Sequence, residues 1–435
     1  MKRITLGLFP LFVLSLSAIT ASAQVSPSVE KTVRQRTVFP TVQPAQTTTP
    51  PKTKMAPSLP TAMAPDSVSP VAVKPEAEAQ MKSAPGSPLA LTPSLLQTRI
   101  TEAQRLLKSR PMTTALTPSI DFVTIAALDR TTARTHLITV PKEMFLKKGS
   151  EIPVTTSLGL AANVRVLRAN GVNTAVTVWT TEGKQLLPLT VEFPIEKGGL
   201  FKEMAYYTSA HPELLSGDLV RSGQSYVRDM IDLAAKRLKE RGVTISPDII
   251  NVAERLCVVE HVDHDRFKQE NRLALFEEIY SLYALNSTDT YRYSVSVAGA
   301  GGMVQMIPWA YNLERQRHPG VGLLPDFVTA MRNHGNALQA MLLYMQDTWT
   351  ELAANDDVKS ALATKQATTS ELLAAGYNSN AAKLPAYLRR GGDSWKVLIP
   401  RETQMYLQIY KTFESLIPIK VRTTVPAYTS AVAGN

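Results

Sequence analysis

Residues 24–95 are dominated by Pro, Thr, Ser, Ala and Val, with Phe39 as their only aromatic side chain. Pro50-Pro51 and repeated Ala-Pro and Ser-Pro steps run through the stretch. Such a composition buries too little apolar area to offset the entropy of an ordered chain. It reads as a disordered, extended tether. Any core must therefore form after it, in what remains of a 435-residue chain long enough for two ordinary domains.

The residues before the tether have another character. Met1-Lys2-Arg3, an apolar run from Ile4 through Leu16, and Ala21-Ser22-Ala23 make a secretory signal peptide over 1–23. The apolar run is short for a membrane span. An exported protein of the periplasm or cell envelope is expected, meeting the membrane only transiently through that peptide. Cys257 is the only cysteine. No internal disulfide can form and no cysteine stands at the cleavage site to carry a lipid, so the fold relies on its core. The formal charge of +10 suits an anionic partner. Nucleic acid is excluded, because no stripe of interleaved aromatic and basic residues is present and export separates the two. An anionic envelope polymer fits both facts, with charge spread over solvated faces as the plain alternative.

Past the tether the pattern is mixed. A short helix is expected over Pro93–Ser109. Residues 120–125 and 136–140 read as strands, and residues 163–167, 175–179 and 189–193 continue the pattern. Asn170-Gly171 and Glu182-Gly183 supply tight turns. This predicts a small antiparallel β module over 96–205, with a binding or spacer role, and with the tether a possible site for envelope protein partners. Residues 206–420 read as mainly helical. Val227, Met230, Ile231, Ala234 and Leu238 recur at helical spacing before Gly242. Ala337, Leu338, Met341, Leu342, Met345, Trp349 and Leu352 form a second stripe, most simply core. Residues 421–435 are expected to be a flexible tail. The expected fold class is thus α+β overall, a β module followed by a helical domain.

One helix starts at Ser246-Pro247-Asp248, an N-cap with proline in the first turn. At about 100° per residue Ile249, Ala253 and Leu256 share one face, widened by Val252 and Val259, while Glu254 and Arg255 point away. Glu260 falls on the apolar face. A lone carboxylate there is costly to desolvate and favours its protonated form, which is the form a general acid needs. The alternatives are an arginine partner or a helix that ends before residue 260. Glu260-His261-Val262-Asp263-His264-Asp265 places two histidines three apart. It is not H-E-x-x-H and no third ligand stands near, so no metal or cofactor is expected. Gly299-Ala300-Gly301-Gly302 invites a phosphate-loop reading. Val304 stands where the fingerprint needs its last glycine, and no suitable strand precedes it.

Four motifs stand in order: Cys257-Val258-Val259-Glu260-His261; the run from Ser296 through Gln305 to Pro308; Ala375-Gly376-Tyr377-Asn378; and Pro400-Arg401-Glu402-Thr403-Gln404-Met405-Tyr406. Over roughly residues 247–417 they resemble the soluble lytic transglycosylase family, relatives of goose-type lysozyme. That family carries Glu-Ser, S-x-A-G-A-x-G-L-M-Q-x-x-P, A-A-Y-N-A-G and P-x-E-T-x-x-Y. The resemblance implies a lysozyme-like helical domain that cleaves peptidoglycan glycan strands between N-acetylmuramic acid and N-acetylglucosamine, leaving 1,6-anhydromuramic ends. It implies that Glu260 is the single catalytic acid and base. It implies that Ser296, Gly302, Met303 and Gln305 line the saccharide cleft and that small residues let the backbone approach the sugar. Tyr377 would orient the Glu260 carboxyl, Asn378 would help form the cleft, and Glu402 and Tyr406 would support the fold or its rim. The family's Glu-Ser is Glu260-His261 here, and an inserted helix and loop over 271–293 separate Glu260 from Gln305, with Glu277-Glu278 an exposed pair inside it. Two rivals remain: a peptidoglycan-binding scaffold without catalysis, and a hydrolytic muramidase using Asp263, Asp265 or Asp289 as a second acid.

Overall fold

The computed structural model describes residues 88–110, 119–214, 217–288, 290–296 and 298–423. The expected signal peptide, nearly all of the tether, Asp289 and residues 424–435 of the expected tail lie outside them. The first described element is α1 (Pro93–Ser109), whose N-cap Thr92 accepts the Leu95 amide on its side chain. Its Leu96, Ile100, Ala103 and Leu107 recur at helical spacing and are all buried. They pack on Ala126, Leu128, Leu187 and Leu189 of the sheet that follows.

That sheet holds β1 (Phe122–Asp129), β2 (Arg134–Pro141), then a single helical turn α2 (Lys142–Phe145), β3 (Glu151–Thr155), β4 (Ala161–Arg168), β5 (Ala175–Thr180), β6 (Gln185–Lys197) and β7 (Leu200–Thr208). All pairings are antiparallel in the order β2-β1-β6-β5-β4-β3, with β7 also on β6. The long β6 curls the sheet: its first two residues pair with β5, the rest with β1 and β7. Phe145, Val164, Val178 and Phe193 share the core inside the curl. Because α1 covers the other face, β1 is buried along nearly its whole length, which is why it lacks the alternation of a one-sided strand. Gly171 and Gly183, at the two predicted turns, take left-handed φ values of 53° and 80°. Strands β3 and β7 were not expected, and β7 carries the sheet past residue 205 to Thr208.

The helical half comprises α3 (Gly217–Glu240), α4 (Pro247–Val259), α5 (His264–Gln269), α6 (Arg272–Leu285), α7 (Pro308–Arg317), α8 (Phe327–Arg332), α9 (His334–Ala354), α10 (Asp356–Ala363), α11 (Thr369–Asn378), α12 (Leu384–Gly391) and α13 (Arg401–Leu416). Ser246 caps α4 by accepting the Ile249 amide, and Pro247 opens its first turn, as the sequence predicted. Ten of the 13 residues of α4 are buried, so it has almost no solvent face. It packs against α3, α6, α9, α11 and α13. Among the described residues no helix is long and apolar enough to cross a membrane.

Three expectations are corrected here. Glu254 does not point to solvent: it is buried, ion-paired to Arg422 and 3.3 Å from the Arg228 guanidinium. Arg422 is therefore no part of a flexible tail. Its amide donates to Asn251 Oδ1 at 2.9 Å and its Nε to Asp232 at 2.7 Å. Glu278 is not an exposed residue of the insertion. It bridges Arg168 of β4 and Arg266 of α5, each at 2.7 Å. Burial raises its carboxyl, but the two guanidiniums outweigh that and hold it below the ordinary range.

The inserted α6 packs along α3 and carries Phe276 and Tyr280 into the helical core, the Phe276 ring meeting Phe413 edge-on at 5.0 Å. The sheet and the helices are in direct contact. The Thr208 amide donates to Asn286 Oδ1, and the Tyr291 amide donates to the Tyr207 hydroxyl, both at 2.9 Å. Arg332 and Arg292 both face Glu203 of β7.

The β half carries a separate acid-sensitive contact. At the end of β1, Asp129 accepts the amides of Thr131 and Thr132, the Thr132 hydroxyl and, at 2.6 Å, the Lys184 ammonium. Burial raises this carboxyl, but Lys184 and the threonine donors prevail and hold it at about 2. The folded pKa lies below the ordinary 3.8, so its contribution is complete above about pH 4 and lost as pH falls towards 2. In urea melts, Asp129→Asn is expected to cost about 1–3 kcal/mol at pH 7. The difference from wild type should shrink below pH 4, and a constant difference down to pH 2 would contradict the assignment.

Candidate functional site

The packing of α4, α11 and α13 brings three of the four motifs to one place. Glu260 is the C-cap of α4, with φ −60° and ψ −21°, so its side chain leaves the helix in the direction the helical pattern gives it. It is half-buried. Tyr406, in the second turn of α13 and 3 % exposed, donates its hydroxyl to Glu260 Oε1 at 2.6 Å. Burial, and after it the negative charge of Glu260, push the Tyr406 phenol well above its ordinary range, so it stays a donor.

The resemblance gave that task to Tyr377. Tyr377, near the end of α11, instead donates to the Val304 carbonyl at 2.6 Å and meets Tyr344 edge-on at 5.9 Å. Burial and then Glu260 push its phenol up as well, so it too lies within electrostatic reach of the carboxyl. Asn378 follows as the last residue of α11, and its Oδ1 is buried without a hydrogen-bond partner among the described residues. Glu402 is exposed in the first turn of α13, where the helix dipole favours a carboxylate, one turn before Tyr406.

The second motif forms a loop pinned to the end of α4 by His261. The His261 Nε2 donates to the Met303 carbonyl at 2.8 Å, and its ring stacks on Tyr291 with centroids 3.6 Å apart. Residue 261 thus clamps the loop, a role that residue type and spacing did not disclose. The glycines of the loop answer to packing. A Cβ on Gly302 would stand 2.3 Å from the Met331 carbonyl oxygen at the end of α8, and its φ is +68°. Gly299 is also left-handed, at φ +79°. Ser296 closes the turn before it, its Oγ accepting the Ala300 amide at 3.0 Å.

The expected lining residues Met303 and Gln305 are turned inward. Met303 is fully buried in the helical core. Gln305 holds φ +48°, is 8 % exposed, and donates its side-chain amide back to the Gly302 carbonyl at 2.9 Å. Both side chains hold the loop together, which corrects their assignment to the face of a cleft.

The sequence places His261 and His264 three apart, and no metal is expected there. His261 is engaged with Met303 and Tyr291, and Asp263 caps α5 by accepting the amides of Asp265 and Arg266. Among the described residues a group with metal-ligand spacing stands elsewhere, at Glu314, His318 and Asp347 of the α7 end and α9. Burial, and after it the charge of Asp347, push the Glu314 carboxyl up to about 8. The i,i+4 spacing of Glu314 and His318 is the one signal of this group that the sequence carries, since Asp347 comes from a separate helix. No family model, no curated protein and no solved structure matches the chain.

The close approach at Gly302 generates a stability test. Gly302→Ala is expected to cost about 2–5 kcal/mol, from left-handed strain and the clash with a backbone atom. Gly301→Ala, where an added Cβ has its nearest neighbour at 3.7 Å, should change the melting temperature little. Equal effects of the two in a thermal melt would show that the Met331 contact does not require glycine.

Proposed function

We propose that the helical half is a lysozyme-like domain that cleaves peptidoglycan glycan strands between N-acetylmuramic acid and N-acetylglucosamine. Glu260 serves as its single acid and base, and the products carry 1,6-anhydromuramic ends. The observation that carries this reading is the Tyr406–Glu260 hydrogen bond at 2.6 Å, which joins the first and fourth motifs within electrostatic reach of Tyr377 of the third. A general acid must be held in one geometry to reach its proton acceptor. The buried Tyr406 donor fixes one carboxyl oxygen and steadies the anion left after proton transfer.

In the proposed reaction Glu260 gives its proton to the bridging oxygen as the bond to the anomeric carbon breaks. The substrate's acetamido group stabilises the positive centre. Glu260 then takes the proton of the muramic 6-hydroxyl as that oxygen closes the ring, which restores the acid. No cofactor enters this scheme. The hydrolytic alternative has less support: Asp263 is occupied as a helix cap, and Asp265 is an exposed partner of Lys268. The scaffold alternative draws on the inward packing of Met303 and Gln305. The signal peptide over 1–23 supports an exported protein acting in the periplasm or cell envelope, and the +10 charge suits an anionic wall polymer.

The full chain, incubated with purified sacculi, is expected to release muropeptides whose mass is that of the anhydro form. Glu260→Gln should lower the rate by at least about a hundredfold. Tyr406→Phe should lower kcat about tenfold with little change in melting temperature, the loss of one charge-assisted donor. Reducing-end products would replace the proposal with hydrolysis. Absence of products with retained co-sedimentation would replace it with the scaffold.

A further inference from the structure

We propose that Glu314, His318 and Asp347 bind one divalent cation of the zinc class, which fastens the end of α7 to α9. Glu314 lies in the last turn of α7 and His318 is the C-cap of that helix, four residues on, while Asp347 comes from the facing α9. Their ligand atoms all lie within 4.8 Å of one another. His318 Nε2 is 3.0 Å from Asp347 Oδ2 and 3.6 Å from Glu314 Oε2. A tetrahedral zinc ion, with bonds of about 2.0–2.2 Å, sets its ligand atoms about 3.3–3.6 Å apart. These separations need only small side-chain adjustments to reach that arrangement.

The independent sign of a ligand is Glu314 itself. Its side chain is 0 % exposed, and neither carboxylate oxygen has a hydrogen-bond partner among the described residues. A buried carboxyl ordinarily carries such partners or a compensating charge. Here it faces an imidazole beyond hydrogen-bonding distance and, across that imidazole, a second carboxylate. A divalent cation placed between the three would satisfy Glu314 and balance both negative charges.

The donor set selects the ion. One imidazole nitrogen with two carboxylate oxygens suits zinc, whereas calcium and magnesium favour oxygen-only shells of six or more ligands. Three protein ligands leave the fourth position to water. Arg317 stands 3.4 Å from Asp347 Oδ2 but also 3.3 Å from Glu351, so it retains a carboxylate partner when Asp347 turns to the cation. The site is independent of the proposed cleavage reaction. Its effect is on the scaffold, because α7 begins directly after the Gln305 turn and the cation would fix its far end.

The test uses the full chain, stripped with a chelator and dialysed. Titration with Zn²⁺ alone in a calorimeter is expected to show one ion per chain with Kd below about 1 µM. Saturation should raise the melting temperature, and Co²⁺ should give the visible bands of a four- or five-coordinate site. Glu314→Gln and His318→Gln should each weaken Zn²⁺ binding at least about a hundredfold, while His264→Gln leaves it unchanged. Circular dichroism identifies a variant that fails to fold, in which case the other carries the test. No stoichiometric uptake by the wild type, or binding indifferent to both substitutions, would overturn the proposal.

Discussion

The helical half is organised by one constraint: α4 buries ten of its 13 residues, so the polar groups it buries must find partners inside the protein. Glu254 is met by Arg422 and Arg228. Asn251 exchanges hydrogen bonds with the backbone of Arg422. The Cys257 carbonyl accepts the Tyr283 hydroxyl at 2.8 Å, and burial raises the Cys257 thiol far above its ordinary range, which leaves it unreactive. Glu260, at the end of the same helix, is met by Tyr406. An unpaired carboxylate at the buried Glu254 would cost several kcal/mol, so its arginine partners are conditions of the fold, whereas Glu260 is half-buried.

The same constraint makes the candidate site a product of long-range packing. Its carboxyl and Tyr406 lie 146 residues apart in the sequence and its loop lies 73 residues from Tyr377, and each is fixed by a contact made possible by the packing around the buried helix. His261 fastens the loop to α4 through the Met303 carbonyl, and Tyr377 fastens it again through Val304. Gly302 lets that loop lie against the Met331 carbonyl. The inserted α6 serves the scaffold too, since it fills the groove along α3 and carries Glu278 to Arg168 of the sheet. The β half and the helices are thereby joined through side chains buried between them.

Much of this was legible in the sequence where the cause is local. The Ser246-Pro247 start of α4, the span of α1, the glycine turns and the apolar stripes of α3 and α9 depend on neighbours a few residues away. The outlying direction of Glu260 followed from helical geometry alone. What escaped depends on distant partners. Glu254 looked solvent-facing because nothing near it reveals Arg422, 168 residues on. Met303 and Gln305 looked like lining because a left-handed φ at Gln305 turns that side chain back on its own loop. The motif pointed to Tyr377 for the carboxyl, whereas the packing of α13 brings Tyr406 there. Strand β3 was obscured by its proline, and β7 by its mixed face.

The central claim is that the Glu260–Tyr406 pair is where a saccharide is worked on, and a bound structure tests it most directly. Crystals of the full chain carrying Glu260→Gln, soaked with an N-acetylglucosamine–N-acetylmuramic acid tetramer, should show the bridging oxygen within hydrogen-bonding distance of the side chain at position 260, beside Tyr406. A tetramer seated elsewhere, with position 260 untouched, would contradict it.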